Sequence, residues 1–289
     1  MRVFKQIHAW FDRSRHILGV SRAVEHKADA LLRRRASNYF YTGGQTALYV
    51  RSNGVKLQLD LRDAGILNFL ATDSYEPDVS SVINQHLSEG DTYIDVGANL
   101  GIHTVAAARK VGNTGRVIAI EANPFLHKFL KRNVALNGAA SITKVVNGAA
   151  WSSEGTIEFS FEEDQHRVGA VVLESATNYG DTKHAVDAVM IDNLVPQGRP
   201  VKLIKIDIEG REPFAIEGAW QTIQNNNCIV VSEYHREVIE STYGATKFDQ
   251  LITTLGLKPH SIERDGRLTA LSDWPKEHAN IALTKGSQL

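Results

Sequence analysis

Apolar residues along this chain recur in two rhythms, and the change between them organises everything that follows. Over residues 1–35, Val3, Phe4, Ile7, Trp10, Phe11, Ile17 and Leu18 fall near helical spacing with Arg and Lys between them. That predicts an amphipathic helix, followed by a second over 22–35. The period then shortens. Two β-rich runs, Thr46–Arg51 and Val55–Leu61, flank Asn53-Gly54, whose residues tolerate the positive φ of a tight turn, so a hairpin is expected. After a polar stretch, a helix over 78–88 opens a regular alternation. Strands are expected near 92–96, 116–121, 142–150, 201–208 and 228–234, with helices near 101–111, 124–137 and 211–225. Short β-rich pieces lie at 156–161, 168–173 and 185–190. A helix at 246–255 and strands near 257–263 and 279–284 complete the tail. Such alternation predicts an α/β fold, a mostly parallel sheet with helices on both faces. No repeat or low-complexity linker interrupts it, so a helical arm over 1–44 and one α/β domain over 45–289 are expected.

Composition narrows the class. The 289 residues are 43% hydrophobic and 22% charged, as in a folded chain. No apolar run approaches the ~18 residues a bilayer-crossing helix needs. The first residues lack the apolar core and small-residue cleavage site of a signal peptide, so a cytoplasmic location is expected. Cys228, the only cysteine, excludes an internal disulfide framework and a cysteine-based zinc site. The net charge of -1 hides an asymmetry: residues 1–35 carry +6 and the remainder -7. An acidic body argues against a nucleic-acid channel, because phosphates need a positive groove. The basic arm has two readings. It packs on its own domain or mediates self-association with a second copy, or it lies peripherally on the inner membrane face.

The best-defined motif is Tyr93-Ile94-Asp95-Val96-Gly97-Ala98-Asn99-Leu100-Gly101, a strand running into a glycine turn and then a helix. Glycine at both points lets backbone approach a ligand closely. A dinucleotide fold has G-x-G-x-x-G, its second glycine making room for a pyrophosphate. Here Asn99 holds that position, and Asp95 at the strand end suits a cationic ligand better than a phosphate. Glu121 ends the next strand, where an acid can accept both ribose hydroxyls of a nucleoside. Asn123-Pro124 then starts a helix. A nucleoside with ribose contacts, no phosphate cradle and a positive tail fits S-adenosylmethionine.

The run Val201-Lys-Leu-Ile-Lys-Ile-Asp-Ile-Glu-Gly210 breaks the apolar continuity expected of a strand buried on both faces. Period-two geometry puts Lys205, Asp207 and Glu209 on one face at its carboxyl end. Unpaired burial of such groups costs several kcal/mol, so they mark either a salt-bridge network or a site. The next strand ends in Glu233-Tyr234-His235, with Glu233 and His235 on one face. Ligand crevices in open α/β sheets lie beyond the carboxyl strand ends, which converges these groups beside the glycine loop.

These stretches resemble the FkbM family of S-adenosylmethionine-dependent methyltransferases. The similarity is carried by Tyr75-Glu76-Pro77, Gly90-Asp91, Asp95 to Gly101 with Thr104, and Glu121-Ala-Asn-Pro124. It continues through Asn147-Gly-Ala-Ala-Trp151, Lys205-Ile-Asp-Ile-Glu-Gly210 with Glu212, and Glu233-Tyr-His235, covering residues 70–240. The resemblance implies a class I methyltransferase, Rossmann-like, with a seven-stranded sheet in which one strand is antiparallel. It also implies methyl transfer to a hydroxyl of a sugar, glycan or natural product. Asp95, Gly97, Ala98, Asn99, Gly101 and Thr104 would surround the methionine part of the cofactor and Glu121 would hold the ribose. Ala122 and Asn123 would sit nearby, Ala149 would line the adenine pocket, and Tyr75 and Glu76 would close over the site. His103 stands where an aromatic is often found.

An alcohol needs a base as it attacks. His235 or Glu209 is expected in that role, with Asp207 orienting the acceptor or the cofactor's amino group, Lys205 neutralising the carboxylates and Glu233 beside them. A magnesium- or calcium-type ion on Asp207, Glu209, Glu233 and His235 is disfavoured by Lys205, so no metal is expected. Two rivals stay open: a catalytically silent binding protein acting through its basic arm, and a nicotinamide oxidoreductase, which the missing G-x-G-x-x-G opposes.

Overall fold

The computed structural model describes residues 39–43, 46–61, 64–160, 170–171 and 183–286. The expected arm helices over 1–35 lie outside them. The chain divides into two compact units, Met1–Tyr75 and Glu76–Leu289, so the hairpin expected to open the α/β domain falls in the first unit.

In that unit β1 (Tyr39–Gly43), β2 (Thr46–Val50) and β3 (Lys56–Asp60) form an antiparallel sheet in sequence order. Asn53-Gly54 makes the β2–β3 turn, with Gly54 at φ 84°. A helix that the periodicity did not suggest, α1 (Ala64–Thr72), follows. Phe69 packs edge-on against Tyr49 and Tyr75, at 5.7 and 5.9 Å between ring centres. Asp73, in the left-handed region at φ 58°, accepts from the Tyr49 hydroxyl at 2.9 Å and pairs with Arg51 at 3.0 Å.

The second unit begins with α2 (Pro77–His86), whose Pro77 costs no hydrogen bond at a helix start. The next elements are β4 (Thr92–Val96), α3 (Ile102–Val111), β5 (Arg116–Glu121), α4 (Pro124–Leu136) and β6 (Thr143–Asn147). Then come β7 (Ala149–Ala150), β8 (Gly155–Ser160), β9 (Ala170–Val171), β10 (Lys183–Val189), β11 (Leu203–Ile206), α5 (Glu212–Gly218) and α6 (Trp220–Asn225). The unit finishes with β12 (Ile229–Tyr234), α7 (Arg236–Thr242), α8 (Ala245–Thr254), β13 (Lys258–Ile262), β14 (Leu268–Ala270) and β15 (Ala279–Thr284).

The main sheet has the order β14-β13-β15-β12-β11-β4-β5-β6. Strands β12, β11, β4, β5 and β6 run parallel, and β15 enters antiparallel between β12 and β13. Its face alternation explains the sequence pattern. Ile94, Ile118, Ile204 and Val230 pack towards Ile216, Ile223 and Phe248. Their neighbours Tyr93, Val117, Leu203 and Val231 pack towards Val82, Ala107 and Leu130 on the other side.

Three expectations need correction. Among the described residues the sheet has eight strands rather than seven, because Leu268–Ala270 adds β14 to the β13 edge; a three-residue strand with one buried side chain has too little pattern to read. The expected strand 142–150 is two strands. Gly148 turns the chain where an added Cβ would stand 2.9 Å from the Asp187 carbonyl, and β7 then joins a separate sheet of order β7-β10-β8-β9. The expected helix 211–225 is likewise two, α5 and α6. Gly218 approaches the Trp151 carbonyl so closely that a Cβ would lie 2.0 Å from it.

Candidate active site

The glycine turn sits where β4 gives way to α3. Gly97, Asn99 and Gly101 all take positive φ, at 71°, 52° and 83°. The amides of Gly97 and Ala98 both donate to the Ile120 carbonyl at 3.0 Å, which ties the turn to β5. A Cβ on Gly97 would lie 1.9 Å from the Asp207 carbonyl, and one on Gly101 would lie 2.6 Å from Leu130 Cδ1. These glycines are therefore required by close approach as well as by backbone conformation.

Around that turn the structure gathers the acids the sequence singled out. Asp95 is fully buried; its Oδ2 accepts from Thr104 Oγ1 at 2.5 Å and its Oδ1 lies 3.8 Å from Lys205 Nζ. Glu121 is held at both oxygens: Oε2 accepts from the Asn99 amide and Oε1 from the Asn123 amide, each at 2.8 Å. Burial pushes its carboxyl up to about 7 even though those two amides favour the charged form. Asn123 is the N-cap of α4, its Oδ1 accepting from the Phe125 amide at 2.9 Å. Ala149 is buried in β7 and packs with Ala122, Phe125 and Trp151. Glu76, at φ 37°, bonds His103 Nε2 at 2.8 Å, and His103 is buried. Tyr75 belongs to the first unit, against Phe69.

The charged strand differs from its period-two expectation. Only Lys205 lies within β11; Asp207 and Glu209 stand beyond its end, and Glu209 turns into the left-handed region at φ 57°. Alternation along a strand therefore does not place the two acids, yet both remain near Lys205 and Glu233. Lys205 is buried, donates to the Gly97 carbonyl at 2.9 Å and meets Asp207 Oδ2 at 3.3 Å. Burial works against its charge, but Asp207, Asp95 and Glu76 together hold it protonated above the ordinary lysine range. Glu212 braces this exit: its Oε1 accepts from the amides of Ile208 at 2.9 Å and Gly210 at 3.1 Å, and burial raises its carboxyl to about 8.

Burial, then the charges of Glu233 and Asp207, raise Glu209 to about 7. Glu233 is raised by burial and by Asp207, against the pull of His278. Its Oε1 lies 2.6 Å from His278 Nε2. His235 is exposed at the N-cap of α7, with its ring centre 5.6 Å from that of His278. His278 is the residue sequence reasoning missed. It belongs to no motif, and only the antiparallel pairing of β12 with β15, which sets Tyr234 opposite Ala279, brings it beside Glu233. Among the described residues, no group of three or more His, Cys, Asp or Glu is arranged to hold a metal ion.

Asp95 Oδ1, Asn99 Oδ1 and Asn123 Nδ2 are buried without hydrogen-bond partners among the described residues. Buried polar atoms normally find partners. Two acceptors and one donor beside a two-oxygen carboxylate fit a ligand that brings hydroxyl and ammonium groups.

A sheet of this order, with a glycine turn after its central strand and an acid at the tip of the next, defines the chain as a class I methyltransferase fold. The chain belongs to the methyltransferase FkbM domain family, whose model matches residues 95–265. Among curated relatives, methyltransferase sdnD of Sordaria araneosa is 26% identical over 165 residues, covering 46% of this chain and 63% of that protein. The hexuronic acid methyltransferase AglP of Haloferax volcanii is 27% identical over 165 residues, covering 56% of this chain and 64% of that protein. The matches thus span less than two thirds of either relative. Among solved structures, methyltransferase FkbM from Methylobacillus flagellatus aligns with a TM-score of 0.46 at 17% identity, over 76% of this chain and 52% of that one.

Proposed function

We propose that this protein is an S-adenosylmethionine-dependent O-methyltransferase acting on a hydroxyl of a sugar, glycan or natural product. The observation that carries the proposal is Glu121: a buried carboxylate pinned by two backbone amides at the tip of β5, its remaining lone pairs left for ribose hydroxyls. The cofactor supplies a methyl group made electrophilic by its sulfonium. Asp95, Gly97, Ala98, Asn99, Gly101 and Thr104 surround the methionine portion, Asn123 lies beside the ribose, and Ala122 with Ala149 lines the adenine side. Glu76 and its partner His103 border the turn. Carboxylates at the turn favour a cationic tail and disfavour a diphosphate.

On the acceptor side, Asp207 orients the hydroxyl, while Lys205 offsets the charge of Asp207 and Asp95. Glu209, Glu233 and His235 line the approach. Much of the rate in such a displacement comes from holding acceptor, methyl and sulfur in line, and the rest from removing the hydroxyl proton. Membership in the FkbM family supports methyl transfer, and the relative named for a hexuronic acid supports a sugar acceptor. Incubation with tritiated S-adenosylmethionine and a panel of monosaccharides, glycosides and hydroxylated natural products, read by mass spectrometry, tests it. One methylene gained at an oxygen is expected. Label found on nitrogen or carbon, or on no acceptor of the panel, defeats the proposal.

A further inference from the structure

His278 lies outside every motif of the sequence, yet its partner Glu233 sets it at the carboxyl end of β12, in the same charged cluster as the glycine turn. That cluster is continuous. The Gly97 carbonyl accepts from Lys205 Nζ at 2.9 Å, Lys205 meets Asp207 at 3.3 Å, and Asp207 acts electrostatically on both Glu233 and Glu209. Crevices beyond carboxyl strand ends are where α/β sheets take their substrates.

The geometry of the pair specifies a chemistry. A carboxylate 2.6 Å from a ring nitrogen accepts a proton held there, so Glu233 keeps His278 in the tautomer protonated at Nε2. The Nδ1 lone pair is then free, and no hydrogen bond reaches it among the described residues. The His278 side chain is 56% exposed and Glu233 20%, so the imidazole faces outward while its anchor is mostly enclosed. His235, by contrast, has no orienting partner of this kind among the described residues; its ring lies beside that of His278.

Resting on the hydroxyl-methylation reading above, we propose that His278 is the base that takes the acceptor's proton, with Glu233 as its positioning residue. The acceptor oxygen forms its bond to the methyl carbon as the carbon–sulfur bond breaks, the electron pair of that bond staying on sulfur. The hydroxyl proton passes to Nδ1 of His278 and from the imidazolium to water. The titratable groups recorded against the ring are Glu233 on β12, Glu209 beyond β11 and His235 before α7, while Asp207 and Lys205 act on Glu233 and Glu209. Lys205 is already committed to Asp95, Asp207 and the Gly97 carbonyl.

The test uses the full chain carrying nitrogen-15 histidine, with S-adenosylhomocysteine as the bound probe and the His278→Gln variant to assign the signals. Multiple-bond nitrogen–proton spectra across pH show which ring nitrogen keeps its proton. The neutral ring is expected to carry it on Nε2, and Glu233→Ala should weaken that preference to the tautomer mixture of an exposed, unanchored imidazole. A neutral ring protonated at Nδ1 has no lone pair to offer and overturns the proposal, whatever the acceptor. In turnover, H278Q should lower kcat about 100-fold or more and E233Q about tenfold, with S-adenosylhomocysteine affinity within about twofold of wild type. The acid limb of the pH–rate profile should disappear in H278Q. A larger loss in E209Q than in H278Q, or an acid limb that survives in H278Q, also overturns it. Failure of the wild-type chain to bind S-adenosylhomocysteine would instead defeat the cofactor reading, and this proposal with it.

Discussion

Single residues here carry constraints of very different range, and that range decides which of them can be recognised in a sequence. Gly97 is governed by its own turn and by the backbone of Asp207, which a Cβ would reach at 1.9 Å. Gly97→Ala is expected to cost about 3 kcal/mol or more, through positive φ and backbone overlap together. Urea unfolding measures it, and an unchanged midpoint would mean that the turn relaxes freely. Lys205 is a second case. Replacing it with Met removes the buried cation that faces Asp95 and Asp207, and breaking such a pair typically costs about 3–5 kcal/mol. The same unfolding experiment should show a loss of that order. Both residues were legible because strand, glycine and charge adjoin one another. His278 was not, being 45 residues from Glu233 and joined to it only by strand pairing. Glu209 was legible as a residue but misplaced, since the chain leaves β11 at Ile206 and turns left-handed before it.

At the level of elements, hydrophobic rhythm located β4 and β5 to the residue and α2, α3 and α4 within two. It failed where backbone contact outweighs side-chain pattern. Gly148 splits one expected strand and Gly218 one expected helix, each by letting backbones touch. The short helix α7 and the strand β14 carry one buried position each, too few to stand out. Asn123 illustrates an element boundary that serves the site as well. Its side chain caps α4 and its amide holds Glu121. Asn123→Ala should destabilise the fold by about 1 kcal/mol through the lost cap. Because the Nδ2 group is also removed, S-adenosylhomocysteine should bind more weakly than to an equally destabilised variant made far from the turn. Paired unfolding and calorimetry check this, and equal affinities would restrict Asn123 to capping.

Over the whole molecule, the fold concentrates raised carboxyls at the carboxyl ends of β5 and β11: Glu121 and Glu209 at about 7 and Glu212 at about 8, against an ordinary 4.5. Each takes up its proton more readily folded than unfolded. Their contribution to stability is therefore complete below pH 4.5 and is lost as pH rises towards 7 or 8. For Glu121 alone, a shift of this size corresponds to about 3 kcal/mol. The protein without ligand should accordingly lose stability between pH 5 and 8, as followed by denaturant unfolding at a series of pH values. Stability that instead rises through this window would contradict the burial of these groups. A ligand donating hydroxyls to Glu121 should reverse part of the trend, since it favours the carboxylate. Such burial of charge is costly in a merely structural network and expected where binding and catalysis use it.

The central claim is that a nucleoside with a cationic amino-acid tail, rather than a dinucleotide, occupies the turn between β4 and α3. Isothermal calorimetry of the full chain with S-adenosylhomocysteine and with NAD tests it most directly, repeated on Glu121→Gln. Saturable binding of S-adenosylhomocysteine, no binding of NAD, and an affinity about tenfold or more weaker in the variant are the predicted results. Binding of NAD in its place, or S-adenosylhomocysteine binding that ignores Glu121, would contradict the account.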